Sequence, residues 1–195
     1  CFEKNMMKTK KILTGARIFR KLIFSKFSGR PRPVWAWNYI TNRCNLNCKY
    51  CFVAPYWNQV EDFTLGELKK IFDEEKEMGV EITTLLGGEP MIRNDFGDIV
   101  EYLDKIGMIV DVVTNGFFVR KHEKVLNKID SMCISIDGSE EMTDSIRGKG
   151  VYKKALEAIE FVKSKSKNIA LRIHGVITKQ TIDALPEMEK LCKRY

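Results

Sequence analysis

Three cysteines fall within one run of eight residues, Cys44-Asn45-Leu46-Asn47-Cys48-Lys49-Tyr50-Cys51. At spacings of four and three residues, their thiolates can converge on one metal centre from a single loop. Thiolates are soft ligands that suit zinc or iron–sulfur clusters. A structural zinc site wants four protein ligands, usually as two pairs. Here the other cysteines, Cys1, Cys133 and Cys192, are scattered, and the only histidines are His122 and His174. Three thiolates on a four-iron cluster leave one iron open to bind a substrate or cofactor, and an open iron is a catalytic feature. Spacing alone also admits a zinc site completed from afar, or three buried cysteines that bind nothing.

Polar groupings recur farther along the chain, each just after an apolar run. Gly87-Gly88-Glu89-Pro90 combines glycines, which free backbone for close approach to a ligand, with a carboxylate able to accept from a cationic amine. Alone, a Gly-Gly pair is usually only a turn. Thr114-Asn115-Gly116 and Ser135-Ile136-Asp137-Gly138 contain the ordinary turn formers Asn-Gly and Asp-Gly. Ser135 and Asp137 are two apart, which predicts that both point to one face of a strand. Arg147-Gly148 follows.

The elements that must position these groups alternate. Val34 to Thr41 reads as a strand, followed by the cysteine loop. Thr64 and Glu67 have capping-box spacing, opening a helix to about Met78 with Gly79 as its stop. Strands are predicted at Val80 to Leu86, Met108 to Val113, Ser131 to Ile136 and Ile169 to Ile177. Helices are predicted from about Asp95 to Ile106, Val119 to Asn127, Tyr152 to Lys163 and Asp183 to Lys193. Such alternation with short turns implies parallel strands joined by right-handed crossovers. The polar motifs then sit at the strand ends where α/β barrels and open α/β sheets place their sites. Five units are too few to close an eight-fold barrel. The last helix ends the chain with no closing strand after it, which reads as a fragment. Cys133, in a strand, and Cys192, in the last helix, read as packing residues. His122 reads as an exposed helix residue, and His174 as facing either the site or the core.

Thr41-Asn42-Arg43-Cys44 through Cys51-Phe52, with the aromatic Tyr50 before the last cysteine, resembles the signature of the radical S-adenosylmethionine (radical SAM) superfamily. The later motifs follow in that family's order, so the resemblance covers Val34 to Tyr195. It implies an α/β fold, a partial (β/α)6 barrel of which about five units are present. It implies a [4Fe–4S] cluster on Cys44, Cys48 and Cys51, with S-adenosylmethionine on the open iron. An electron from the cluster would cleave the cofactor, and the resulting 5′-deoxyadenosyl radical would abstract hydrogen from a substrate. By the same resemblance Gly87, Gly88, Glu89 and Pro90 meet the cofactor's amino group, with Tyr50 also among its contacts. Thr114, Asn115, Ser135 and Asp137 meet its methionine and ribose parts, and Arg147 its carboxylate, a task suited to the guanidinium fork. An electron donor such as flavodoxin or ferredoxin is implied. Two positions depart from the pattern: Thr143, where members often carry histidine, and Thr181, near a common asparagine. No residue stands out as a general base. The alternative from another class is a non-catalytic metal-binding or electron-transfer module.

Charge is divided unevenly. The net charge is +7. Before Val34 ten lysines and arginines face one acid, Glu3, giving +9; the remaining 23 bases and 25 acids give −2. Basicity therefore belongs to an N-terminal arm, residues 1–33, and residues 34–195, read as the barrel, give no sign of a nucleic-acid surface. In the arm Ile12, Ala16, Phe19, Ile23 and Phe27 recur at helical spacing, with Lys10, Arg17 and Lys21 opposite, over a helix from Lys8 to Phe27. Gly15 weakens that helix by about 1 kcal/mol relative to Ala, and Gly29-Arg30-Pro31-Arg32-Pro33 ends it. This arm resembles the start of certain radical enzymes that modify lipid-like or peptide substrates. Residues 8–27 are expected either to lie on an anionic membrane surface or to pack on the barrel or fray. No apolar run approaches the roughly 18 residues of a membrane span. The basic start is not followed by a clean apolar stretch and cleavage site. Clustered cysteines without a disulfide pattern fit a reducing compartment, taken as the cytoplasm. The substrate is left as a small molecule, a lipid-like molecule or a peptide.

Overall fold

The structure is a computed structural model that describes residues 2–29, 31–56, 59–179 and 181–195, with the side chains of the first helix described from residue 12 onward. Cys1, Arg30 and the side chains of Lys8 and Lys10 lie outside the described residues. Five strands, β1 (Trp35–Thr41), β2 (Ile82–Gly87), β3 (Ile109–Thr114), β4 (Ser131–Ser135) and β5 (Ala170–His174), form one sheet in sequential order. Every neighbouring pair is parallel. This is the predicted architecture.

Alternation along the strands separates two environments. Ile40, Leu85, Val110, Val112, Met132 and Ile134 point outward into the helix layer and are essentially inaccessible. Leu68 and Phe72 of α2 (Leu65–Met78), Ile99 and Leu103 of α3 (Phe96–Lys105) and Ile159 and Val162 of α5 (Val151–Lys165) cover them. Each such side chain contributes roughly 1.5–3 kcal/mol of burial. The opposite face, with Trp37, Tyr39, Thr84, Asp111, Cys133 and Arg172, surrounds a cavity.

Local signals act as expected in α2. Thr64 and Glu67 form both halves of the capping box, and Gly79, in the left-handed region at φ 111°, closes the helix. One helix was missed: α4 (Glu140–Arg147), capped by Ser139 accepting from the Met142 N–H. The segment Val119–Lys128 is a tight 3-10-type helix kinked at His122, not a regular α-helix. His122 is buried there, contrary to expectation: its Nε2–H donates to the Met91 carbonyl at 2.9 Å and its ring lies 4.8 Å from Phe96. Burial holds its pKa below the usual imidazole value. Cys192, in α6 (Leu185–Arg194), is exposed rather than packed.

The arm forms one unbroken helix, α1 (Phe2–Ser28), running through Gly15. Its charged side faces the barrel. Glu81, 2% exposed, accepts from Lys21 at 2.6 Å, Lys76 at 2.9 Å and Arg17 at 3.0 Å. Lys21 also donates to the Gly79 carbonyl, and Arg17 to that of Gly107. These carbonyls follow α2 and α3, where the helix dipoles favour cations. Burial alone would raise the Glu81 carboxyl, but the three cations hold it below its ordinary value. The contact lies at the N-terminal ends of β2 and β3.

Candidate active site

At the opposite, C-terminal ends of the strands lies a cavity of about 650 Å³. Of the residues singled out in the sequence, Cys44, Cys48, Tyr50, Cys51, Gly87, Gly88, Glu89, Thr114, Asn115, Ser135 and Arg147 all line it. Pro90 and Asp137 do not. Pro90 begins a buried turn, Pro90–Ile92. Ser135 is the last residue of β4, so the alternation that predicted a shared face stops before Asp137, whose N–H instead donates to Thr143 Oγ1.

The cysteine loop has no regular structure along most of its length, and side chains fix it at several points. Asp62 accepts from the Asn42 N–H at 2.9 Å, from Thr41 Oγ1–H at 2.7 Å and from Arg43 Nε at 2.9 Å. Asn45 Oδ1 accepts from Asn115 Nδ2, and the Lys49 N–H donates to the Ile146 carbonyl. Gly87 and Gly88 serve this loop first. The Gly88 and Glu89 N–H groups donate to the Thr41 and Arg43 carbonyls, and a Cβ on either glycine would collide with those same carbonyls. The close approach that requires glycine here is of backbone to backbone.

Glu89, 1% exposed, joins the ends of β2 and β3. Oε1 accepts from the Met91 N–H at 3.0 Å and Thr114 Oγ1–H at 2.8 Å, and Oε2 from the Asn115 N–H at 2.7 Å. Burial pushes its carboxyl up to about 7, against the pull of these donors. A folded-state pKa above the ordinary 4.5 means that the stability it contributes is present at low pH and lost as pH rises toward 7. Glu89→Gln is expected to abolish that pH dependence. It should also cost about 1–3 kcal/mol, because its amide NH₂ must face a donor. Melting temperatures of both proteins across pH 5–8 check this.

A second junction ties the loop to β4, α4 and β5. Asp137 Oδ2 accepts from Tyr50 Oη–H and from Arg147 Nε, each at 2.6 Å. Arg147 also donates to Tyr50 Oη at 2.6 Å, and the Val176 N–H to Asp137 Oδ1 at 3.0 Å. Burial, with Asp137 accepting the proton, raises the Tyr50 phenol, so it is a neutral donor. Thr143 and Thr181, the two departures, support the same loops: Thr143 as above, and Thr181 by accepting from the Thr178 N–H and donating to the Val176 carbonyl.

Sequence reasoning missed the cavity's polar floor. Asp111, 3% exposed, accepts from Thr84 and pairs with Arg172, while Trp35 Nε1–H donates to Thr84. The available signal was an aspartate inside the apolar run Ile109-Val110-Asp111-Val112-Val113. Cys133 is buried as expected but lines the cavity, and His174 faces it too.

The donor set can be judged on its own chemistry. Among the described residues no three His, Cys, Asp or Glu side chains are gathered closely enough to hold a single metal ion. The three cysteines line one cavity. Burial, with Glu89 and the other two cysteines adding negative charge, pushes the Cys44 thiol up to about 11, against the pull of the Leu46 N–H. Burial also raises Cys48, against the pull of Arg147. Burial thus favours the neutral thiol at Cys44 and Cys48, and a cationic centre bound there would favour their thiolates.

Residues 38–192 match the family profile of the Radical SAM superfamily. The chain belongs to that superfamily. Membership brings a [4Fe–4S] cluster and S-adenosylmethionine as cofactors. The chain is 30% identical over 189 residues to the mycofactocin maturase MftC of Mycolicibacterium smegmatis, covering 94% of this chain and 47% of that one. It is 32% identical over 169 residues to the pre-heme d1 synthase of Dinoroseobacter shibae, covering 84% and 41%. The chain thus spans about half the length of these curated relatives. Among solved structures, Streptococcus suis SuiB bound to precursor peptide SuiA superposes with a TM-score of 0.72 at 20% identity, over 83% of this chain and 37% of that one. That likeness is one of fold.

Proposed function

We propose that this chain is the catalytic core of a radical SAM enzyme, with the cluster on Cys44, Cys48 and Cys51. The observation that carries the reading is that one cavity gathers these cysteines with the ends of β2, β3 and β4. The bound cofactors supply a 5′-deoxyadenosyl radical, made by one-electron reductive cleavage of S-adenosylmethionine, that abstracts hydrogen from a substrate. The protein's part is positioning and exclusion of water. Gly87, Gly88, Glu89, Thr114, Asn115 and Ser135 form the wall against which S-adenosylmethionine lies. Tyr50 and Arg147 hold the opposite side, where Arg147 would meet the cofactor carboxylate. Pro90 and Asp137 act through their neighbours. A flavodoxin- or ferredoxin-like donor in a reducing compartment delivers the electron.

Anaerobic reconstitution with iron and sulfide, then reductant and S-adenosylmethionine, is expected to yield 5′-deoxyadenosine. A protein that keeps its metal but yields none would instead be the non-catalytic metal-binding or electron-transfer module. The substrate class proposed is a peptide. Its support is the exposed aromatic side chains that line the cavity, Trp37, Tyr39 and Phe52, a surface suited to an extended partner. The precursor peptide bound by SuiB, a protein of the same fold, points the same way. Peptide pools should accelerate 5′-deoxyadenosine formation where lipids and small metabolites do not.

A further inference from the structure

The arm helix is docked inside out. An amphipathic helix on a globular domain normally buries its apolar stripe and shows its charged side to water. In α1 the charged side is held by Glu81 through Arg17 and Lys21. The apolar stripe faces away: Ile12, Phe19, Ile23 and Phe27 are 71, 65, 42 and 84% exposed. From Ile12 to Phe27 that row is about 22 Å long at 1.5 Å per residue. Arg20 and Lys26, both exposed, border it.

We propose that this stripe is a docking surface for an anionic lipid bilayer, on which α1 lies in the plane of the interface. Charge selects this occupant. The arm carries +9 before Val34 and the rest of the chain −2, so a second copy would set two like-charged arms face to face. A bilayer rich in acidic headgroups attracts both parts of the surface, phenylalanines into the acyl boundary and basic residues to the phosphates. No helix among the described residues is long and apolar enough to cross a membrane, so the contact is peripheral.

The orientation has a consequence for the active site. Glu81 precedes β2, and the Gly79 and Gly107 carbonyls precede β2 and β3. The arm therefore meets the N-terminal ends of β2 and β3, while the cysteines line the cavity at the other end of the sheet. A bilayer under α1 would leave the cavity open to the aqueous side. The arm is an anchor, and the substrate does not enter from the lipid.

The test is co-sedimentation of the full chain with vesicles of phosphatidylcholine alone and of phosphatidylcholine with roughly one part in four phosphatidylserine. Binding is expected to the second and not the first. The double substitution Phe19→Glu with Phe27→Glu should weaken it by about tenfold or more. Its circular dichroism should be unchanged, since both residues are exposed. Tyr56→Glu, near the cysteine loop, should leave binding intact. The proposal is overturned by absence of binding to the acidic vesicles, or by binding that survives the double substitution. Loss of binding in Tyr56→Glu, or a dimer in sedimentation that the double substitution dissociates, overturns it equally.

Discussion

Cys48→Ala protein, reconstituted anaerobically beside the unaltered protein, is expected to form no 5′-deoxyadenosine above background and to lose the absorption of the four-iron cluster. The same outcome is expected for Cys44→Ala and Cys51→Ala. With three thiolates available the cluster already has one iron without a protein ligand, and removing another leaves two. Among the described residues no other cysteine is placed beside these three. Cys133 lies in the cavity but is held in β4 beside the Arg172–Asp111 pair, and Cys192 is on the exposed side of α6. The metal-free fold should survive each change, because the three cysteines line a cavity and are only half-buried. A melting temperature within a few degrees of the parent's, together with absent cluster absorption, is the expected pair of observations. Substantial turnover in any single variant would show that the ligand set is wrong.

Asp137→Asn is expected to produce the largest loss of stability among substitutions at this end of the barrel. Asp137 is fully buried and accepts from Tyr50, from Arg147 and from the Val176 N–H, so both its oxygens are committed. An asparagine offers one acceptor oxygen and turns an NH₂ toward a donor. The Arg147 side chain, itself 9% exposed, is left without a counter-charge. Breaking a buried ion pair from one side costs about 3–5 kcal/mol, a melting temperature lower by roughly 10 °C for a chain of this length. The loss is not confined to stability. Tyr50 stands between Cys48 and Cys51, so its release loosens the segment that holds two of the three ligands. Iron bound per chain after reconstitution should fall in Asp137→Asn. In Tyr50→Phe, which removes the two hydrogen bonds of the phenol and keeps the ion pair, it should fall less. Equal iron content in all three proteins would mean that the junction supports the fold alone.

How much of this could be read from the chain depends on how local each cause is. The strands and most helices follow from apolar runs bounded by Gly, Asn-Gly and Asp-Gly, and the α2 capping box is a contact between residues three apart. The cysteine loop is equally local. What escaped depends on contacts distant in sequence. The Asp111–Arg172 pair spans 61 positions and forms across β4. The periodicity of α1 shows two faces but not which one meets the barrel, and that is decided by Glu81, 60 residues beyond Lys21. Glu89 looked like a free acceptor for a cofactor amine, yet three donors of the protein itself already occupy it. Among the helices, α4 was missed despite a local signal, the Ser139 cap followed by Glu140 and Glu141 with Arg147 in the last turn.

The central claim is that three cysteines leave one iron of the cluster open and that S-adenosylmethionine occupies it. The most direct measurement is electron paramagnetic resonance of the reduced, reconstituted protein before and after adding S-adenosylmethionine. A cluster whose open iron takes the cofactor changes its spectrum on addition. A spectrum indifferent to S-adenosylmethionine, from a protein with a full complement of iron, would contradict it.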